Sequence, residues 1–90
     1  MPTYIVERYV PDLPADGLRG LVERERAAMA AIDAQTHGVQ HLRTTYMRDD
    51  QLCQSLYLGP SAAAVRDANT RADLRFERIT EAIDEASDRW

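Results

Sequence analysis

The order in which two hydrophobic periodicities alternate along the chain restricts its fold more than any other sequence feature. Alternating β-branched, aromatic and polar residues predict four strands, at residues 4–10, 39–48, 52–58 and 76–83. An apolar stripe of helical period predicts a helix over residues 15–36, and Ser61 is a suitable N-cap for a second helix. Because β-α-β crossovers are right-handed, this order predicts an α+β ferredoxin-like sandwich, β-α-β-β-α-β, with a four-stranded antiparallel sheet and two helices on one face.

The length of the chain leaves room for one small domain. We expect residues 1–90 to form a single ferredoxin-like unit in which residues 83–90 are a polar tail. A domain of this size has a thin margin of stability, and the single cysteine, Cys53, can form no internal disulfide. We therefore expect association with a second copy to add to the stability of the domain.

Charge and hydropathy exclude two classes of partner. The formal net charge is −4, and acidic and basic residues alternate along the chain, whereas nucleic-acid binding needs a clustered basic face. No apolar run approaches the roughly 18 residues that a membrane span needs, and the chain opens without a secretory leader. We therefore expect a cytoplasmic protein that contacts neither nucleic acid nor membrane.

The sheet face that the helices leave uncovered is predicted to hold apolar residues. Both alternation sets of the strands carry apolar or aromatic side chains, and we expect Ile5, Tyr9 and Tyr57 to share the open face. A second copy of the sheet would cover them, which predicts a homodimer.

The two histidines are candidate metal ligands. His37 and His41 are four residues apart, a spacing that chelates a metal only when both residues lie on one helix. Gly38 interrupts that geometry, and two residues this far apart on a strand are about 13 Å from each other. We therefore favour separate structural positions for His37 and His41 over a metal ion that both residues bind. If a metal binds, we expect His41 to be a ligand, with carboxylates or a partner chain, and His37 to be dispensable.

A carboxylate in the middle of the first strand is the most unusual charge in the sequence. We expect Glu7 to face the open side of the sheet, with Arg43 as its partner. Together with His41 and Tyr57, these residues would form a polar set that binds an anionic or aromatic ligand or a metal, or transfers protons. The alternative, a structural Glu7–Arg43 pair without a ligand, is equally consistent with the sequence.

Other polar features are interpreted as structural. Cys53 lies in mid-strand and is expected to be a small buried hydrophobe. The charged run over residues 23–26 is expected to be a solvated helix face. The sequence holds no GxSxG, HExxH or phosphate-binding glycine loop.

Several segments together resemble one bacterial family. They are Tyr4-Ile-Val-Glu-Arg-Tyr-Val-Pro11, Gly38-Val-Gln-His-Leu-Arg-Thr-Thr-Tyr46, Cys53 through Pro60-Ser61, Ala64-Val65-Arg66 and Arg78-Ile79-Thr80-Glu81-Ala82. Their order and spacing are similar to those of the DUF4242 family of small actinobacterial proteins, which are labelled nickel-binding or nickel-responsive. The resemblance implies a ferredoxin-like fold, a dimer and a site for a divalent metal, nickel or a similar ion.

Two functions of different classes remain open at this point. The first is non-catalytic binding of nickel or a similar divalent ion, with ligands drawn from His41, His37, Glu7 or a partner chain. The second is a cofactor-free dimeric α+β-barrel enzyme, a cyclase, isomerase or monooxygenase acting on a small aromatic or polyketide-like molecule. There Glu7 or His41 would be the base, and Arg43 and Tyr57 would orient the substrate. We favour metal binding slightly, although two histidines are few for nickel and enough for one general base.

Overall fold

The computed structural model describes residues 2–31 and 38–83 and has the predicted order of elements. In chain order these are β1 (Thr3–Tyr9), α1 (Gly17–Ala31), β2 (Gln40–Met47), β3 (Leu52–Leu58), α2 (Ala62–Arg71) and β4 (Arg78–Ala82). The strands form one antiparallel sheet in the order β2-β3-β1-β4, as expected for a ferredoxin-like fold. The predicted α+β class is therefore confirmed.

Both helices contribute to the core on the same face of the sheet. Met29 of α1 and Val65 of α2 pack with Val6 and Tyr57 from the two central strands in one buried cluster. The second helix begins as predicted, because the Ser61 hydroxyl accepts a hydrogen bond of 3.1 Å from the Ala64 amide. The predicted extension of the first helix over residues 32–36 lies outside the described residues.

The pairing of β1 with β3 decides which side chains share a face. Tyr57 lies opposite Tyr4, and Gln54 lies opposite Glu7. Because cross-strand partners point to the same side, Tyr57 belongs to the helix-covered face and is fully buried there. The prediction that Tyr57 shares the open face with Ile5 and Tyr9 is therefore wrong.

A β-bulge in β2 changes the face assignment a second time. His41 pairs with Tyr57 and Arg43 pairs with Leu56, so Leu42 is an extra residue that has no partner in the register. The bulge interrupts the usual alternation, which places His41 on the helix-covered face and Arg43 on the open face. Thr44, three residues after His41, returns to the helix-covered face.

None of the helices within residues 2–31 and 38–83 is long and apolar enough to cross a membrane.

Candidate functional site

A buried carboxylate lies at the centre of a polar cluster between α1 and the sheet. Glu25, in the middle of α1, has no solvent exposure. Arg8 of β1 forms an ion pair with it at 2.9 Å from Nη2 to Oε1. The Ser55 hydroxyl donates to it at 2.9 Å and the Tyr57 hydroxyl at 3.2 Å, both from β3. Thr44 of β2 donates its hydroxyl to Oε2 at 2.8 Å, so three neighbouring strands supply donors to one carboxylate.

These donors keep Glu25 ionised in spite of its burial. Removal from water acts to raise its pKa, because a carboxylate is poorly stabilised away from solvent. The hydrogen bond from His41 and the charge of Arg8 outweigh that effect. With the hydroxyls of Thr44 and Ser55, they lower the pKa of Glu25 to about 2. The carboxylate is therefore a fixed negative charge at neutral pH.

The surroundings of His41 determine which of its ring nitrogens carries the proton. Its Nε2 lies 3.2 Å from Glu25 Oε2 and 2.7 Å from Thr44 Oγ1. Arg26 approaches the other side of the ring, where its Nε donates to His41 Nδ1 at 3.3 Å. Because arginine is only a donor, Nδ1 must present a lone pair, and the proton of the neutral ring is on Nε2. This tautomer is assigned from its partners.

His41 is one of the residues that line a cleft between α1 and β2. The cleft has a volume of about 680 Å³, and its lining comes from both elements: Arg26, Met29, Ala30, Gly38, Val39, Gln40, His41 and Leu42. The His41 side chain is only 1% exposed. Arg26 contacts Nδ1, and Tyr57 packs against the ring in a T-shaped arrangement with 5.4 Å between centroids. The ring thus has an anion on one side and a cation on the other.

The guanidinium of Arg8 is incompletely satisfied. Its Nη2 bonds to Glu25, Asn69 and Tyr57, whereas Nε and Nη1 are buried and have no hydrogen-bond partner within the described part of the chain.

Burial and the Glu25 carboxylate raise the pKa of the Tyr57 phenol, so it remains a proton donor at neutral pH. The Cys53 thiol, opposite Arg8 in the register, has its pKa raised by burial and is no thiolate, in keeping with a small buried hydrophobe.

Glu7 lies on the open face, as its sequence context predicted. Arg78 of β4 donates its Nε to Glu7 Oε1 at 2.6 Å, and Gln54 of β3 donates to Oε2 at 2.9 Å. These hydrogen bonds, from Gln54 and then Arg78, hold the pKa of Glu7 below its usual range. Arg43 also lines the open face, beside Ile5.

The four residues expected to form one polar set are divided between the two faces of the sheet. His41 and Tyr57 contact each other beneath the helices, whereas Glu7 and Arg43 lie on the opposite side. The prediction of one concave site from these four is wrong, and Glu7 and His41 cannot bind the same ion within one chain. Within residues 2–31 and 38–83, no three His, Cys, Asp or Glu side chains converge on one metal position. His37 lies outside the described residues.

Glu25, Arg8 and Asn69 were not singled out from the sequence. Residues 23–26 were interpreted as a solvated face, which is wrong for Glu25, since Leu21 and Met29 lie one helical turn before and after it and all three are buried. Asn69 likewise follows Val65 by four residues, and Arg8 continues the buried alternation of β1. Polar residues at positions of the apolar stripe were the signal that could have found them.

Comparison with known proteins identifies the family. A family model described as nickel-responsive protein SCO4226-like matches residues 4–82. The chain belongs to the SCO4226-like family. This is the family that the sequence segments indicated, although the match carries this name and not the label DUF4242. No curated protein matches the sequence.

One solved relative of the SCO4226-like family shares the fold. The crystal structure of SCO4226 from Streptomyces coelicolor A3(2) superposes with a TM-score of 0.70 at 21% sequence identity. The match covers 93% of this chain and 99% of that one. At this level of identity the superposition supports the fold and carries no residue assignment.

Proposed function

We propose that this member of the SCO4226-like family binds a divalent transition metal, nickel first, through Nδ1 of His41. The observation that carries the proposal is the orientation of the imidazole: its Nε2 faces the ionised Glu25 at 3.2 Å, and its Nδ1 faces Arg26, which lines the same cleft between α1 and β2. Nickel is chosen as the metal because the family is described as nickel-responsive.

Metal-binding histidines usually donate their second ring N–H to a carboxylate or a similar acceptor. That contact fixes the tautomer and strengthens the other nitrogen as a ligand. Glu25 and the Thr44 hydroxyl both lie within hydrogen-bonding distance of His41 Nε2, and the low pKa of Glu25 keeps the acceptor charged. An imidazole nitrogen is a ligand type suited to nickel.

Residues 2–31 and 38–83 do not supply a ligand set for nickel, because no three ligating side chains converge and His41 is the one imidazole that lines the cleft. Glu25 is unsuited to be a second ligand, because its oxygens already accept from Arg8 and from the hydroxyls around it. Water or a partner chain would complete the coordination. His37 lies outside the described residues, and we expect it to be dispensable. Glu7 is on the other face and would serve a separate function.

A purified sample treated with chelator and then titrated with nickel by calorimetry tests the proposal. We expect binding that is lost in His41→Gln and reduced less in His37→Gln, because His41 is anchored by a buried carboxylate. After dialysis, elemental analysis by mass spectrometry should find more retained nickel in the wild type than in either variant, and least in His41→Gln. Unchanged binding in His41→Gln contradicts the proposal.

We also propose that the protein is a homodimer that covers the open face. Ile5 and Leu56 line a shallow depression there with Ile83, whose side chain is 96% exposed. A second copy would remove this apolar surface from water. Sedimentation equilibrium at micromolar concentration should give a dimer, and Ile83→Asp should shift it toward monomer. A monodisperse, stable monomer of the unmodified protein contradicts the proposal.

The same geometry favours one alternative, a general base that acts on a small molecule. A histidine that lines a cleft and is oriented by a carboxylate is also the arrangement of a catalytic base. The cleft offers Met29, Val39 and Leu42 as apolar lining. If the metal-free wild-type protein turns over a small substrate and His41→Gln does not, the enzyme is favoured. Nickel binding without turnover favours the primary proposal.

A further inference from the structure

The cleft between α1 and β2 combines apolar side chains with a single cation. Its lining includes the buried side chains of Met29 and Val39 and the half-buried side chain of Leu42. Among the described residues that line it, Arg26 is the one whose side chain is always charged, and none is acidic. A permanent cation beside apolar side chains suits a small molecule that has an anionic end and an apolar body.

Arg26 is held in position by two neutral acceptors. Its Nε donates to His41 Nδ1 and its Nη2 donates to the Leu42 carbonyl, each at 3.3 Å. Within residues 2–31 and 38–83, Arg26 forms no ion pair with a carboxylate. Because a guanidinium has five N–H donors, these two bonds leave Nη1 free to donate to an acceptor that enters the cleft.

We propose that the cleft binds a small organic carboxylate. The carboxylate would accept a charge-assisted hydrogen bond from Arg26 Nη1, and the apolar body would lie against Met29, Val39 and Leu42. The volume of about 680 Å³ is within the range of small-molecule sites. This inference goes beyond metal binding and does not rest on it, because it uses Arg26 in the position where it contacts His41.

The charges around the cleft favour an anion over a cation. Glu25, on the opposite side of the His41 ring, is neutralised by Arg8 at 2.9 Å, so it does not cancel the charge of Arg26. The formal net charge of the whole chain is −4, which makes a cationic cleft a local exception. Since two contacts already fix the guanidinium, an anion that binds it costs little further side-chain entropy.

NMR titration of the chelator-treated protein with benzoate and with hexanoate tests the inference. We expect at least one of these carboxylates to shift the amide resonances of residues 39–42. Benzamide, a neutral molecule of nearly the same shape as benzoate, should bind about tenfold more weakly than benzoate, because it lacks the charge. Acetate should also bind more weakly, because it has no apolar body. Absence of shifts in the cleft with both carboxylates overturns the inference, and so does equal affinity for benzoate and benzamide.

Two arginines of the same helix provide matched variants. Arg26→Ala should weaken carboxylate binding about tenfold, through the loss of one charge-assisted hydrogen bond. Arg24 is also exposed but does not line the cleft, so Arg24→Ala should change the affinity less than about twofold. Equal carboxylate affinity in the wild type and in Arg26→Ala overturns the inference.

A second pair of variants keeps Arg26 in place. Ala30→Glu introduces a carboxylate into the lining, one helical turn after Arg26, where it would compete for the guanidinium. We expect it to weaken carboxylate binding, whereas Ala27→Glu, at an exposed position of the same helix, should bind like the wild type. Equal affinity in both variants contradicts the inference. Because these titrations contain no metal, a failure of nickel binding would reject the proposed function and leave their results unaffected.

Discussion

Glu25 Oε2 lies 3.2 Å from His41 Nε2, and this contact joins the middle of α1 to the beginning of β2. It is the one histidine–carboxylate contact within residues 2–31 and 38–83. The contact gives the histidine a fixed tautomer, and it gives the carboxylate one of several donors.

Replacement of Glu25 should destabilise the fold strongly. Glu25→Gln leaves Arg8 buried without its counter-charge, and we expect the free energy of unfolding to fall by about 3–5 kcal/mol. Glu23→Gln is the matched control, because it removes the same charge from an exposed position of the same helix and should cost less than about 0.5 kcal/mol. Urea denaturation of both variants measures the difference, and equal small losses would contradict a buried ion pair.

The acid stability of the metal-free protein should depend on Glu25. Its pKa is about 2 in the folded protein against a reference of 4.5, so its stabilisation is complete above pH 4.5 and is lost as the pH falls toward 2. We expect the gap in unfolding free energy between wild type and Glu25→Gln to narrow by about 3 kcal/mol over that range. A gap independent of pH would mean that Glu25 is not held ionised by its neighbours.

The threonine that bridges the histidine and the carboxylate should affect metal binding. Thr44→Val removes the hydroxyl 2.7 Å from His41 Nε2 while it preserves the shape of the side chain. Loss of such a partner typically weakens metal affinity about 10- to 100-fold. Thr45→Val, on the open face, is the control and should bind nickel like the wild type. Calorimetric titration compares them, and equal affinities would show that the bridge does not orient the ring.

Glu7 provides a test of the division between the two sheet faces. Because Arg78 is 70% exposed and can turn to water, Glu7→Gln should lower the unfolding free energy by no more than about 1 kcal/mol. Its nickel affinity should equal that of the wild type within about twofold, since the intact sheet separates it from His41. A thermal melt and a nickel titration on one sample give both values. A large loss of nickel binding would place a ligand on the open face.

The sequence was sufficient to predict the elements and the fold class but not the composition of the site. Strand and helix periodicity placed β3 at residues 52–58 and the cap at Ser61 as observed. Which face each strand residue occupies depends on register, and a shift of one residue inverts every assignment. The pairing of Tyr57 with Tyr4 depends on how two strands align in the folded sheet, which the local sequence pattern of either strand does not determine.

The bulge at Leu42 explains why His41 and Arg43 were wrongly predicted to share a face of the sheet. In a regular strand His41 and Arg43 would point to one side, which is why they were expected to act together. The extra residue inverts that relation and brings Thr44 to the same side as His41. Glu25 was missed for a different reason: its charged neighbours suggested a solvated face, although its spacing from Leu21 and Met29 placed it in the buried stripe.

Anomalous diffraction from crystals of the nickel-loaded protein, measured at the nickel absorption edge, tests the central claim most directly. The account predicts an anomalous peak in the cleft between α1 and β2, bonded to His41 Nδ1. Glu25 should still contact Nε2, and Arg26 should be turned away from the ring. A peak bonded to Nε2, or a nickel ion on the open face with none at His41, would contradict it.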